Sequence, residues 1–392
     1  MKSLNLLLVG LAATAAAQTS DDHAYLGIFV ETHVMRIAGM KPRPMPKLPP
    51  GVTLPPSTAA MFNSMSGAPT RSLNVRLWSP GIAPDSATAT LAIPNGLGLG
   101  DKLDLSLYRP QPANPTGGGG GGGGGGESGP PPDFTIKIYW GSSPTVQPGQ
   151  PKVYEFNKLT MDQQMEMGSH MRSVTSAMSM GGGAHGGGGA GGNYFYKDGW
   201  TTGYWPGDTN QPKIGDTASL SGTFNLNSSY TGNVSIDTDA GVDFLPAIEM
   251  SSPDLGTKPN LTQAIPFQWS PLGSAIGQYA TIIGMQGKNT LIIWSSASNF
   301  GDQILGDTDF MQMADVKANV ANNVFMPGDT TSMTVPAGIF ADADFALFNM
   351  VAYGPGSAKD GTQPVPRIQT KSTLMLMLGG KKSKGGDGGG VK

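Results

Sequence analysis

The chain of 392 residues contains no cysteine. This absence excludes disulfide bonds, thiolate metal sites, cysteine nucleophiles and lipid attachment through an N-terminal cysteine. Charged residues make up only 14% of the chain, with a formal net charge of −3, so the sequence offers no large basic surface for nucleic acid. Glycine and proline are abundant instead, with 58 and 32 residues, concentrated in blocks between patterned segments. The composition predicts folded segments separated by low-complexity runs.

Residues 1–17 have the features of a secretory signal peptide. Lys2 provides the positive charge, an apolar stretch follows from 4 to 13, and Ala15 and Ala17 form the small-residue pattern that precedes cleavage. The apolar stretch is too short to span a bilayer of about 30 Å. We predict an exported protein without a membrane span, secreted or periplasmic. The bacterial envelope is favoured because most small secreted eukaryotic domains depend on disulfides.

Apolar and polar residues alternate at the strand period of two along most of the remaining chain. Clear examples are Tyr25–Val34, Ser72–Trp78, Lys102–Tyr108, Phe134–Trp140 and Ile265–Trp269. This pattern predicts a mainly β fold with two β-sandwich domains, at 21–157 and 216–358, and one linking helix.

Three segments are predicted to lack regular structure. The first domain is interrupted by a proline-rich loop at 41–57 and by ten consecutive glycines at 117–126. The tail at 359–392, whose end is rich in lysine and glycine, is predicted to be disordered.

Residues 158–215 combine a helix, a glycine-rich linker and an aromatic segment. Thr160 and Gln163 form a capping box at the start of a predicted helix, Met161–Met178. A second, short helix is predicted within 300–324.

Residues 260–356 resemble a fibronectin type III domain. Such domains have a core tryptophan on the second strand, a tyrosine on the third and an aromatic-rich sixth strand. Trp269 and Tyr279 in IPFQWSPLGSAIGQYATIIG match the first two, TSMTVPAGIF stands in the place of the fifth strand, and FALFNMVAYGPG matches the sixth. A long insertion at 298–324 departs from the pattern. The resemblance implies a sandwich used for adhesion or scaffolding.

The whole chain also resembles a set of exported proteobacterial proteins with no established activity. The segments that carry this likeness are RSLNVRLWSPG, FTIKIYWGSSPTVQPGQPKV and DGWTTGYWPG, followed by the region of Trp269. No functional residues follow from it.

Sequence motifs of catalysis are missing from the chain. It has no G-x-S-x-G elbow, no H-E-x-x-H and no phosphate-binding loop, and GMQGKN at 284–289 falls short of the last. Because spacing in sequence does not reveal a carboxylate pair, a secreted enzyme acting on polysaccharide stays open as an alternative. We predict a protein that is not an enzyme and uses no cofactor.

Six aromatic residues lie within twelve positions, at 194–205. Interleaved glycine and proline favour a loop or an edge. The residues predicted to contact a ligand by stacking on sugar rings are Tyr194, Tyr196, Trp200, Tyr204 and Trp205. The alternative, which we favour, is that these rings cover the interface between the two domains, since aromatics bury large areas.

Methionine and histidine recur between 161 and 180, on one face of the predicted helix. Met167, His170 and Met171 are the candidate metal ligands, since thioether and imidazole together suit Cu(I) or Ag(I). A methionine stripe at helical spacing is more often a packing face. A copper-binding protein is therefore an alternative function.

Acidic pairs recur at D-x-D spacing in three loops. They are Asp237 and Asp239 (with Asp243), Asp307 and Asp309, and Asp342 and Asp344. Calcium binding is one interpretation, but the spacing of the first loop does not match an EF-hand. Solvated turns between strands explain the acidic residues better.

These observations favour an exported, non-enzymatic binding or scaffold protein of the envelope. Its predicted partner is an envelope protein or a polysaccharide, and neither nucleic acid nor a membrane span is predicted.

Overall fold

The computed structural model describes residues 23–41, 67–110, 133–161, 163, 199–207, 212–299 and 310–380. The predicted signal peptide, the polyglycine run and nearly all of the proline-rich loop lie outside these residues, as does most of the predicted helix at 161–178. In chain order the elements are β1 (Tyr25–Ile37), β2 (Thr70–Ser79), β3 (Ala89–Ala92), β4 (Lys102–Asp104), β5 (Ser106–Tyr108), β6 (Thr135–Trp140), β7 (Lys152–Glu155), β8 (Thr201–Trp205), β9 (Thr223–Ser228), β10 (Val234–Asp237), β11 (Met250–Ser252), β12 (Ile265–Trp269), β13 (Gly277–Gln286), β14 (Thr290–Ser295), α1 (Met313–Ala321), β15 (Met326–Pro327), β16 (Ser332–Val335), β17 (Phe345–Tyr353), β18 (Ser357–Ala358) and β19 (Val365–Gly379).

The described residues are mainly β, as the alternating sequence predicts. α1 confirms the short helix expected within 300–324. The capping box is also formed. The Thr160 N–H donates to Gln163 Oε1 at 3.0 Å, and the Gln163 N–H donates to Thr160 Oγ1 at 3.3 Å. Two backbone donors at the start of the helix are thereby satisfied.

One large sheet runs through the structure in the order β5-β8-β2-β1-β19-β17-β13-β14-β6-β7, with β15 pairing to β13 and β18 to β19. Two smaller sheets, β10-β9-β3-β4 and β11-β12-β16, supply the second layers. They pack side by side on the same face of the large sheet, because alternate residues of each strand point to that face. The result is two β-sandwiches that share one continuous layer.

Each smaller sheet encloses its own hydrophobic core. The first core lies under β10-β9-β3-β4 and includes Leu26, Ile28, Val30, Val75, Leu77, Leu91, Phe224, Leu226 and Ile368. The second core lies under β11-β12-β16 and includes Val34, Phe267, Trp269, Ile282, Trp294, Phe348, Met350, Leu374 and Leu376. β1 and β19 contribute to both cores, with one end of each strand in the first and the other end in the second.

Buried hydroxyl groups mark the boundary between the two cores. Thr32 lies between the core residues of β1 and donates from Oγ1 to the carbonyl of Leu245 at 2.8 Å. Thr370 on β19 donates to the carbonyl of Pro355 at 2.7 Å. Both carbonyls belong to connecting segments that have no ladder partner at this point, so the hydroxyls satisfy backbone acceptors that would otherwise be buried unpaired.

The division at 21–157 and 216–358 is wrong in the assignment of three segments. The hairpin β6-β7 was placed in the first domain, but β6 pairs with β14 at the edge of the second sandwich. β9 and β10 were placed in the second domain, but they belong with β3 to the small sheet that covers the first core. β8 was placed in the linker, but it pairs with β2 and β5. Alternation reveals which face a residue takes and not which strand lies beside it.

The predicted strand Lys102–Tyr108 is two strands in different sheets. β4 pairs with β3 in the four-stranded sheet, whereas β5 pairs with β8 in the large sheet. Leu103, Leu105 and Leu107 all contact the first core, so the alternation continues through the bend. A strand that crosses between the layers of a sandwich keeps its inward face, which explains the unbroken pattern.

The prediction of a disordered tail at 359–392 is wrong for residues up to 380. β18 and the 15-residue strand β19 lie there, and β19 is at the centre of the large sheet. Its alternate residues are buried, namely Ile368, Thr370, Ser372, Leu374, Leu376 and Leu378. The lysine- and glycine-rich composition begins only after Gly379. The prediction of disorder extended this composition to residues 359–379, although their apolar and polar residues alternate as in a strand.

The opposite face of the large sheet is covered behind the second sandwich. Val316 of α1 packs there with side chains of β6, β13, β14 and β17, among them Ile138, Tyr279, Ile293 and Val351. The large sheet is therefore apolar on both faces in this part, as expected of a sheet buried between two layers.

We expect that removing residues 360–392 prevents folding, whereas removing 381–392 keeps β19 whole and serves as the control. The longer deletion removes four large apolar side chains from the two cores, each contributing about 1.5–3 kcal/mol, which together approach the whole stability of a typical domain. Circular dichroism and chemical denaturation measure the outcome. A cooperative unfolding transition in the chain ending at 359 would show that β19 is dispensable.

A second prediction concerns Gly354, which follows β17. A Cβ atom here would lie 2.2 Å from Leu245 Cδ1 and 2.4 Å from Thr370 Oγ1. Gly354→Ala should therefore destabilise the fold by about 1–3 kcal/mol in urea denaturation, as overpacking does. Gly273→Ala is the matched control, since a Cβ at Gly273 meets nothing within 4 Å. Equal stability of the two variants would contradict the close packing at this boundary.

Candidate functional site

The predicted aromatic ligand site is partly a strand of the large sheet. Tyr194 and Tyr196 lie outside the described residues, whereas Tyr204 and Trp205 are on β8 and Trp200 directly precedes it. All three described rings are half-buried. Trp205 packs against the first core, and the Tyr204 ring lies under the Arg76 guanidinium, at 5.9 Å from its carbon to the ring centroid. Because neighbouring residues of a strand point to opposite faces, the Trp205 and Tyr204 side chains lie on opposite faces of the large sheet.

Trp200 belongs to a separate aromatic cluster on the other face of the large sheet. It packs with Phe29 of β1, Trp78 of β2 and Phe310, which precedes α1. The Phe29 ring centroid lies 6.1 Å from that of Trp78 and 5.0 Å from that of Phe310. The cluster joins strands of the first sandwich to a residue from the C-terminal half of the chain, which favours the interpretation that Trp200 covers a contact between the two halves.

Tyr230 is a half-buried aromatic residue with a buried hydroxyl group, and no sequence pattern identified it. Its hydroxyl has no hydrogen-bond partner among the described residues. A Cβ at Gly203 of β8 would lie 3.2 Å from this hydroxyl, so glycine leaves the space that the tyrosine occupies. Burial raises the pKa of Tyr230 to about 12, and the positive charge of Arg109 opposes the rise.

We expect the stability of the protein to fall as the pH rises from about 10 to about 12. In this window the unfolded chain, with a tyrosine pKa of about 10, releases a proton that folded Tyr230 retains. Tyr230→Phe should reduce this pH dependence in urea denaturation and leave stability at pH 7 equal or higher, because no hydrogen bond to a described residue is lost. Tyr108→Phe, at a tyrosine that is 45% exposed, is the control. An unchanged pH profile in Tyr230→Phe would contradict the assignment.

The candidate metal ligands Met167, His170 and Met171 lie outside the described residues. Two aspartates of the D-x-D loops accept hydrogen bonds from backbone N–H groups. Asp243 accepts from the N–H groups of Leu220 and Phe244, at 3.0 and 2.8 Å, and Asp344 accepts from the N–H of Gly287 at 2.8 Å. Within the described residues no group of three or more histidine, aspartate or glutamate side chains is arranged to hold a metal ion. Asp307 and Asp309 are not among these residues.

A polar hollow lies on the outer face of the four-stranded sheet, with a volume of about 470 Å³. Two rows of outward-facing residues form it, and strand pairing sets each row. The lining side chains are Thr90, Ala92, Lys102, Asn225, Asn227, Asn233 and Ser235. Ala92 stands between Lys102 and Asn225, and its methyl group is the smallest side chain of the face. Ala92 therefore leaves space between the longer side chains of Lys102 and Asn225.

Hydrogen bonds orient part of this lining. Ser235 Oγ donates to Asn225 Oδ1 at 2.5 Å, so the amide oxygen of Asn225 faces Ser235 and the NH₂ group is left for other partners. Asn233 Oδ1 accepts from the N–H of Ser228 at 3.0 Å. The side chain of Asn227 makes no hydrogen bond to another described residue, and it is exposed next to Thr90. The hollow thus presents amide donors and acceptors together with hydroxyl groups.

One sequence feature points to this hollow. In TFNLNS, at 223–228, the outward positions of the alternating pattern are occupied by Thr223, Asn225 and Asn227. Asparagine is unfavourable in strands, so two in succession on one face call for an explanation. The residues of β3 and β4 that lie beside these asparagines are known only from the pairing of the strands in the structure.

A second polar group lies on the outer face of β1 and β19. Thr373 Oγ1 donates to Glu31 Oε1 at 2.5 Å, and His33 Nδ1 lies 2.8 Å from the same Thr373 oxygen. Lys371 Nζ lies 3.8 Å from Glu31 Oε2 and 4.1 Å from the centroid of the Phe310 ring. No sequence pattern predicts this group, because Thr373 is about 340 residues away from Glu31 and His33 along the chain.

Comparisons of the chain with protein-family models, with curated proteins and with solved structures found no match. Among the helices in the described ranges, none has the length and apolar character needed to cross a membrane.

Proposed function

We propose that this chain is an exported binding protein of the bacterial envelope that acts without covalent chemistry and holds a hydroxyl-rich polymer, a polysaccharide, in the polar hollow of its four-stranded sheet. The observation that carries the proposal is the open hollow with Ala92 as its floor and amide and hydroxyl side chains around it. The proposal of export is supported by the sequence of residues 1–17.

The chemistry of the lining suits sugar hydroxyls. Each hydroxyl of a sugar is both a donor and an acceptor, and an asparagine amide offers both functions in one plane. Lys102 and Asp104, paired at 3.3 Å on the edge strand β4, add one group of each charge at the rim. Each hydrogen bond gained over water contributes only about 0.5–1.5 kcal/mol, so a useful affinity needs several together.

The shape of the hollow also suits a polymer. It is an open depression on a sheet face, so a chain can lie across the strands and extend beyond the lining residues on both sides. A polymer that places successive units on several copies of the protein gains avidity without new contacts, which offsets a weak single site.

The resemblance to fibronectin type III domains extends the proposal to the second sandwich, which we assign a scaffold role. Its support is the layer arrangement, with β11-β12-β16 facing β14-β13-β17-β19 and Trp269 buried on β12. Trp269 Nε1 donates to Gln278 Oε1 at 3.0 Å, and the Gln278 amide donates to the carbonyls of Gly328 and Thr330. This buried network fixes the turn before β16.

The test is retention of the purified chain, without residues 1–17, on insoluble cell-wall and matrix polysaccharides. Ala92→Phe fills the hollow with a ring and should reduce retention at least tenfold, while Asn227→Ala should reduce it less. Both changes are on an exposed sheet face, so the melting temperature should stay within a few degrees.

Gln268→Phe is the matched control, because Gln268 is an outward-facing residue of the other small sheet. Its retention should equal that of the unsubstituted chain. Retention of Ala92→Phe at the same level would remove the hollow as the site, and no retention of the unsubstituted chain on any polysaccharide would overturn the proposed function.

A further inference from the structure

The parallel pairing of β1 with β19 brings together side chains that soft metal ions prefer. The register places His33 beside Thr373 and Met35 beside Met375, and these four positions share the outer face of the large sheet. His33, Met35 and Met375 are all half-buried. Two thioethers and one imidazole are thus side by side at a position formed only when the two ends of the described chain pair.

Hydrogen bonding fixes which nitrogen of His33 carries its proton. The single proton of the Thr373 hydroxyl is donated to Glu31, so His33 Nδ1, at 2.8 Å from that oxygen, is the donor of the second bond. In the neutral ring Nε2 then carries the lone pair. It makes no hydrogen bond to a described residue, and 37% of the side chain is exposed.

This is the arrangement of a metal-binding histidine, whose second nitrogen donates to an oxygen that fixes the ring orientation. The neutral imidazole is the form that binds metal. Its Nδ1–H group donates to the Thr373 oxygen, which in turn donates to the Glu31 carboxylate. The Thr373 hydroxyl and the Glu31 carboxylate therefore act as positioning residues.

Local charge selects the class of ion. The Lys371 ammonium and the Glu31 carboxylate lie 3.8 Å apart and compensate each other, and imidazole and thioether ligands bring no negative charge. A divalent cation would gain little here, since hard or borderline ions favour carboxylate, thiolate or several imidazoles. A soft monovalent cation suits sulfur and nitrogen ligands without charge.

We propose that His33 Nε2, Met35 and Met375 form a binding site for a soft monovalent metal ion, Cu(I) or Ag(I), on the outer face of β1 and β19. The site is distinct from the polar hollow, which lies on another sheet, and it does not depend on the proposed polysaccharide binding.

Silver(I) is the probe, because it has the same ligand preference and no redox chemistry under the conditions of the test. The full chain without residues 1–17 is labelled at the methionine methyl carbons and titrated with silver nitrate in chloride-free buffer. Met167, His170 and Met171 are replaced by leucine, glutamine and leucine in all samples, which removes the other candidate set. The chain has 21 methionines in total, and signals are assigned through their loss in Met35→Leu and Met375→Leu.

We expect the Met35 and Met375 methyl signals to move with the first equivalent of silver. The double variant Met35→Leu, Met375→Leu and the single variant His33→Leu should each bind silver at least tenfold more weakly. Met285→Leu, at a half-buried methionine on β13 that packs against the hydrophobic cluster behind the second sandwich, is the control and should bind normally. Thr373→Val should shift the ring-nitrogen signals of His33 and weaken binding less than His33→Leu.

The proposal is overturned when the Met35 and Met375 signals move no earlier than those of other methionines, or when the double variant binds like Met285→Leu. In that case the two methionines have a packing role only. Should the double variant fail to fold, the methyl shifts in the chain that retains both methionines decide the question.

Discussion

The parallel pairing of β1 with β19 is the contact on which the other features depend. Thirteen residue pairs, from Tyr25 with Val365 to Ile37 with Met377, join the two ends of the described chain at the centre of the large sheet. Within the large sheet this ladder joins the strands of the first sandwich to those of the second, and both β1 and β19 place side chains in both cores. A parallel ladder of such high sequence separation closes a very long loop, and the burial of side chains in both cores offsets the entropic cost of that closure.

The same register builds the outer face of the large sheet. Glu31 comes to lie beside Lys371 and His33 beside Thr373, so the charged group and the candidate metal ligands are assembled by the ladder. Gly27 has the corresponding role for the aromatic cluster, since a Cβ at this position would lie 2.4 Å from the Phe29 ring. A shift of β19 by one residue would turn its buried leucines outward and would separate Lys371 from Glu31 and Thr373 from His33.

The sequence predicted the strands well and their neighbours poorly. Segments such as Ser72–Trp78 and Ile265–Trp269 alternate so regularly that both their existence and their buried face follow from the period of two. Nothing in that period indicates that β6 joins β14, or that β19 lies against β1, because partner choice is a long-range property. The aromatic residues at 200–205 show the same limit. Their composition favoured a loop or an edge, whereas Thr201 and Thr202 are buried and the segment pairs with β2 on one side and β5 on the other.

The two candidate sites differ in how much order their side chains already have. Asn227 and Lys102 stand on an open sheet face, so a ligand must immobilise them, at a cost of about 0.5–1.5 kcal/mol for each rotamer-rich side chain. The hollow is therefore suited to a polymer, whose repeated units can make the same contacts many times. His33 is already held by Thr373, and Thr373 by Glu31, so little ordering remains when a ligand binds Nε2. One ligand atom of the proposed metal site is thus held in place before an ion binds, and the first core and the large sheet separate that ion from anything bound in the hollow.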